Sequence, residues 1–326
     1  MRLMLCVVTV LCASAVSAND STGYVGTGGV EYIKNDKIRM YSEDLLISKK
    51  IIQVDYQFKN ETHQDVTENI LFPLPKVESY LYSDFADATG LIQSFKVQVN
   101  GKTIQPETHV RAFLSEIKGE GENAVENFVD VTANFKACGL TDQELMNPWQ
   151  KNLNSGQISQ KIVKCKDSKI ADLVKNNLTD DEDAVRWHSQ IIYSWQQTFK
   201  ANALTRVQHQ YQPLVGGSIG FSMEDGFEDK TYCMDDNLKK TLRKNKAEHS
   251  SYQALGYILT TGANWAKPIK DFKLTIERDP HELVSLCWAG KIKKISPTRF
   301  EMVEKNFTPQ QDLDIMFINP QVRYID

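Results

Sequence analysis

The sequence predicts a mainly β protein: an antiparallel β-sandwich N-terminal region over 19–135, a small helical insertion over 136–182 and a second antiparallel β region over 183–326. Period-two alternation, an Asn-Gly turn and a helix-capping signature carry this reading. In Lys50–Lys59, Ile52, Val54, Tyr56 and Phe58 alternate with Gln53, Asp55, Gln57 and Lys59, the pattern of a half-buried strand. Val66–Leu74 is a second extended run that stops at Phe72-Pro73-Leu74-Pro75. Prolines so close together exclude a helix and put the segment at a strand end or sheet edge. Phe95, Val97 and Val99 alternate up to Asn100-Gly101 and the chain resumes at Lys102-Thr103-Ile104, a hairpin signal.

The centre changes character. Thr141 and Glu144 form a capping-box pair, and Leu140 and Leu145 flank the helix entry. A short helix to about Leu153 and a second over Lys169–Leu178 are expected. Thr179-Asp180-Asp181-Glu182 also resembles a cap. Beyond it, however, Val185, Trp187, Ile191, Tyr193, Trp195 and Phe199 alternate with mostly polar residues over fifteen positions, so a long strand is expected. Val207, His209 and Tyr211 share one face of the next strand. A helix is expected over Asp236–Lys246, with strands at Tyr252–Thr260, Lys270–Glu277, Leu283–Trp288, Thr298–Val303 and Asp312–Ile318. No linker separates the two β regions, which leaves room for them to pack as one body.

The first residues read as an address. Arg2, the apolar run Leu3–Leu11 and the small residues Val16-Ser17-Ala18 form a secretory signal peptide, Met1–Ala18, cleaved after Ala18. Leu5 and Leu11 precede Cys6 and Cys12, so no lipid-anchored cysteine is expected. No later stretch reaches the roughly 20 apolar residues of a membrane helix. A periplasmic or secreted location follows. Beyond the leader, 37 basic residues face 42 acidic ones, which argues against a nucleic-acid groove. Four cysteines remain, and in an oxidising compartment an even number reads as disulfides. Three pairings are open; Cys138 with Cys165 and Cys233 with Cys287 is preferred, because each then closes a loop within its own region. No C-x-x-C pair supports a zinc site.

Candidate chemistry is thin. Gly216-Gly217-Ser218-Ile219-Gly220 matches the G-x-S-x-G nucleophile elbow, with His249 or His281 as conceivable bases, but the acidic stretch after it lacks the helix that the motif requires. Ser218 and His249 are therefore weak catalytic candidates beside a plain glycine turn. His63, His109, His188, His209, His249 and His281 are too far apart for a zinc motif, and neither metal nor cofactor is expected. His188 is expected to face solvent opposite Trp187, and His209 to be a core histidine. The acidic groups at Glu43-Asp44, Asp180–Asp183 and Glu224–Asp229 lack calcium-loop order and read as solvated charge. Trp187, Tyr193, Trp195 and Phe199 form a carbohydrate platform if exposed, and core if not. Lys239, Lys240, Arg243, Lys244 and Lys246 read as a solvated helix face. Asn19, Asn60, Asn177 and Asn306 begin sequons, which matter only in a eukaryotic secretory pathway.

The order of several landmarks resembles an exported bacterial family known as domain of unknown function 4424. They are Asn19-Asp20-Ser21-Thr22 with Gly28-Gly29, Met40–Leu45, Phe72-Pro73-Leu74-Pro75, Trp195–Phe199, His209–Pro213, Tyr232–Asp235 and Ser296–Phe300. The likeness spans nearly the whole chain beyond the leader. It implies an envelope or secreted location and lends no activity, cofactor or catalytic residue. Phe58 to Thr62 followed by the Phe-Pro-Leu-Pro strand end is similar, more loosely, to the β-sandwich domain of vault proteins and inter-alpha-trypsin inhibitor heavy chains, though the helical insertion does not match. The resulting expectation is a non-enzymatic protein that binds a partner protein or cell-envelope component. A serine hydrolase using Ser218 and a carbohydrate-binding module are the alternatives.

Overall fold

The computed structural model describes residues 20–26, 29–79, 88–119, 125–150, 153–179, 184–218, 231–244 and 250–323. The chain is mainly β, and its described strands form three sheets. The first runs in the spatial order β10 (Val125–Asp130), β9 (Glu107–Lys118), β11 (His188–Phe199), β5 (Val66–Pro73), β1 (Ser21–Gly26) and β2 (Gly29–Ile33), and β6 (Val77–Glu78) also pairs with β11. The second runs β17 (Lys293–Lys294), β18 (Arg299–Phe307), β15 (Ile269–Glu277), β3 (Ile38–Ile47), β4 (Ile52–Asn60), β12 (Leu204–Tyr211), β7 (Lys96–Val99) and β8 (Lys102–Ile104). The third is β13 (Gly216–Ser218), β14 (Ser250–Tyr257), β19 (Leu313–Arg323) and β16 (Leu283–Leu286). Only β3 and β15 pair in parallel among the described strands. Hydrogen bonding crosses the boundary drawn at 183, since β11 lies between β9 and β5 and β12 lies between β4 and β7.

Alternation sets which face of each strand is inside. Ile52, Val54, Tyr56 and Phe58 of β4 and Val207, His209 and Tyr211 of β12 point into one core, where they meet Phe72, Tyr193, Trp195 and Phe199 of the first sheet. Leu255, Tyr257, Leu313, Ile315 and Phe317 of the third sheet join the same core. The β7–β8 hairpin turns on Asn100 and Gly101, both at positive φ (49° and 76°), which is the conformation that makes Asn-Gly the preferred pair there.

The central helices are α2 (Thr132–Ala137), α3 (Asp142–Leu145), α4 (Asn147–Gln150), α5 (Ser155–Val163) and α6 (Ala171–Asn176), preceded by α1 (Ala88–Ser94). They build a second core with Ala112 and Leu114 of β9 around the buried Trp187. Thr141 and Glu144 make the reciprocal capping box at the start of α3. Cys138 is joined to Cys165 and Cys233 to Cys287, with Cα separations of 5.4 and 5.0 Å. On the other side of the third sheet, Leu242 of α7 (Asp236–Lys244) packs with Met234, Met316 and Ile318.

Two expectations are corrected. His188 does not face solvent: it is half-buried, because β11 is covered on both faces at its start and so departs from simple alternation. Glu43 is not a solvated loop charge but lies in the interior at 1% exposure, on a strand whose register shifts between Met40 and Ser42. Asn60 and Asn177 are likewise interior. Asn60 Nδ2 donates to the carbonyls of Gln64 and Phe199, and Asn177 Nδ2 to those of Ser115 and Leu173, so both are structural residues.

At the core's centre the Asp20 carboxylate lies 3.0 Å from His209 Nε2, and both side chains have no solvent exposure. Removing one partner of a buried pair typically costs about 3–5 kcal/mol. Asp20→Ala is therefore expected to lower unfolding free energy by about that amount in urea titration; a loss below about 1 kcal/mol would contradict a buried pair.

Candidate functional site

The groups best placed to meet a small molecule converge where the first and third sheets adjoin. A cleft of about 480 Å³ is lined there by Lys76, Glu78, His188, Tyr232, Tyr252 and Asp314, with Gly216, Leu214, Leu255 and Gly256 among the remaining wall. Its first-sheet wall begins at the Phe-Pro-Leu-Pro segment. Proline has no N–H to give a ladder, and β5 ends at Pro73, opposite Ile192. The chain rejoins β11 as β6, with Val77 opposite Ser189 and Glu78 opposite His188. Lys76 precedes that return. The opposite wall comes from β14 and β19, where Gly256 faces Asp314 in register. Lacking a side chain, Gly256 leaves the Asp314 carboxylate open: a Cβ there would stand 3.6 Å from Oδ1.

Burial dominates the electrostatics. It lowers Lys76 to about 8, against the opposing pull of Asp130 and Glu126, so the amine is still mostly ammonium at neutral pH. The Lys76 ammonium lies 4.9 Å from the ring centre of Phe113 and 4.6 Å from that of Phe128, within cation–π range. Burial, aided by the charge of Lys76, lowers His188 to about 4 and keeps it neutral. Glu78 and Asp314 are both raised above ordinary carboxyls, by burial first in each case. Among the described residues, Lys76 and Asp314 make no ion pair or side-chain hydrogen bond, and His188 Nδ1 has no hydrogen-bond partner. Perturbed groups gathered in one cleft mark a candidate functional site, with structural networks as the competing cause.

Ser218 is paired opposite Tyr252 in the β13–β14 ladder, and the residues that follow it, 219–230, lie outside the described residues. His249 and the acidic stretches 180–183 and 224–229 lie outside the described residues, as does the leader Met1–Ala18. His209 is sealed in the core under the rings of Phe72, Tyr56 and Trp195. A serine and a histidine do meet elsewhere, Ser194 Oγ at 2.7 Å from His109 Nε2. Glu107 approaches that same nitrogen, at 3.9 Å, instead of orienting the ring through the other one, and Ser194 is buried in mid-strand. Trp187 and Trp195 are 2% and 8% exposed and offer no stacking platform. Sequence reasoning missed Lys76, Glu78 and Asp314, because nothing in their local pattern distinguishes them from ordinary strand-end charges.

The model of "Domain of unknown function (DUF4424)" matches residues 18–316. The chain belongs to that family. No curated protein matches the DUF4424 chain. It is similar to a solved structure from Legionella pneumophila called a "putative nutrient binding protein", at 14% identity and a TM-score of 0.44, over 92% of this chain and 70% of that one. A yeast LTA4 hydrolase structure is also similar, at 10% identity and a TM-score of 0.26, over 89% of this chain but only 31% of the hydrolase.

The lowered affinity of His188 for protons has a pH signature. The unfolded chain takes up a proton near 6.5 and the folded one only near 4, so the contribution of His188 to stability is complete above 6.5 and lost as pH falls towards 4. The loss is expected to reach at most about 3 kcal/mol. His188→Gln should flatten unfolding free energy against pH across that window, and an unchanged slope would exclude His188 as its source.

Proposed function

We propose that this DUF4424 protein is an exported, non-enzymatic binding protein, delivered to the periplasm or secreted after loss of Met1–Ala18, and that its ligand occupies the cleft between the first and third sheets. One observation carries the reading: Lys76 and Asp314 share a cleft in which neither makes an ion pair or side-chain hydrogen bond to a described residue, beside His188, whose Nδ1 has no hydrogen-bond partner. His188 Nδ1 is buried without a hydrogen-bond partner, a cost that a ligand's polar group would relieve. Export is supported by the leader pattern and by two disulfides, which persist in oxidising compartments. The described helices include none long and apolar enough to cross a membrane.

Two measurements test it. Amino-terminal sequencing of protein recovered from the periplasm or medium should begin at Asn19; retention of the leader in a cytoplasmic product would overturn the export half. Native mass spectrometry of protein taken gently from that compartment should show a small-molecule adduct. Lys76→Met should lose at least tenfold of that adduct while keeping the wild-type circular dichroism spectrum. An adduct unaffected by Lys76→Met would move the site elsewhere.

A further inference from the structure

The cleft holds charges of both signs, contributed by different sheets and not closed onto each other. Lys76 comes from the first sheet and Asp314 from the third, and no ion pair joins either to a described residue. The acids nearest in field to Lys76 lie on β10. Of these, Asp130 is held by Arg111 at 2.7 Å and by Thr132 at 2.7 Å, and Glu126 acts on Lys76 without an ion pair; the ammonium itself lies against the Phe113 and Phe128 rings at the cleft. On the other wall, Asp314 stands beside the bare backbone of Gly256, so its carboxylate is open to a donor. Asp314 is exposed at the cleft mouth and Lys76 is half-buried, so a ligand carrying one charge pairs with only one of them, whereas a ligand carrying both pairs with each.

We infer that the ligand of this cleft is a small zwitterion of the amino-acid or short-peptide type, its carboxylate received by Lys76 and its ammonium by Asp314. Neutral His188 supplies a hydrogen-bond acceptor or donor beside the carboxylate end, according to its tautomer. The Tyr232 and Tyr252 side chains line the wall between, and Glu78 adds a second carboxyl. About 480 Å³ accommodates a free amino acid or a dipeptide. The inference rests on the binding role proposed above and narrows it to a chemical class.

The test is a series of probes titrated calorimetrically against the leaderless protein: alanyl-alanine, its N-acetyl derivative and its carboxamide, which each remove one terminal charge, and free alanine as the shorter zwitterion. The expected result is binding of alanyl-alanine or alanine, with the N-acetyl and amide forms at least tenfold weaker. Lys76→Met should weaken the zwitterion and the N-acetyl form but not the amide, and Asp314→Asn the zwitterion and the amide but not the N-acetyl form. Gly256→Leu, which changes no charge, should block all of them. If the N-acetyl form binds as tightly as the zwitterion, the inference is overturned in favour of a simple anion site. If no probe binds while the native adduct persists, the zwitterion class is wrong and the binding role stands. The probe series needs no variant to fold, so instability of Lys76→Met or Asp314→Asn leaves it decisive.

Discussion

The structure depends first on a polar contact sealed inside an aromatic shell. Asp20 and His209 meet at 3.0 Å with no solvent exposure, and His209 is stacked on Phe72 with ring centroids 4.7 Å apart. Asp20 precedes β1 of the first sheet, while His209 is on β12 of the second. On the third sheet, Tyr257 places its hydroxyl 3.3 Å from that of Tyr56 on β4. The buried Glu43 and Asp20 both act electrostatically on these two phenols, whose ionisation is pushed well above 10 chiefly by burial. One polar cluster thus reaches all three sheets. Burying such groups gives little net stability over apolar packing, but misplacing any of them leaves a polar atom in a dry interior. The cluster therefore acts more on register than on strength: slipping β1 or β12 by one residue would turn Asp20 or His209 out of it.

The amino-terminal segment is held by more than this contact. Trp265 Nε1 donates to the Asp20 carbonyl at 2.9 Å, Asn264 Nδ2 reaches Ser21 Oγ, and the Asn35 amide bonds the Asn264 carbonyl. Asp20, Ser21 and Thr22 are all buried. A segment held this deeply is an integral part of the core.

Much of the architecture was legible because it rests on local rules. The alternation in β4 and β12, the Asn-Gly turn after Val99 and the Thr141–Glu144 capping box each follow from short-range chemistry, and each element is present. The cysteine pairing followed from loop closure within regions. What was not legible is what depends on distant partners. The alternation along β11 suggests one buried face, yet its first half is covered on both sides, by the main core on one and by the helices around Trp187 on the other. Short α1 and α2 carry too few residues for a periodic signal. The cleft suffers most: Lys76, Glu78, His188 and Asp314 lie more than two hundred residues apart at the extremes, and only sheet order brings them together.

One local feature nonetheless shows how the cleft arises. Pro73 lies opposite Ile192 and Val77 opposite Ser189, so three residues, Leu74, Pro75 and Lys76, span two on β11. That extra residue is a bulge, and it shifts every following side chain to the other phase of the pleat. Two prolines make the interruption cheap, because neither can give the ladder an N–H. Both backbone groups of Leu74 stay satisfied: its amide donates to the Ile191 carbonyl, and its carbonyl accepts from the buried Gln190 side chain at 2.8 Å. Without the extra residue, position 76 would take its place in register with β11 and lose the freedom to face Phe113, Phe128 and the cleft. The Phe-Pro-Leu-Pro segment, visible in the sequence only as a strand end, is thereby the element that places Lys76 at the wall of the cleft.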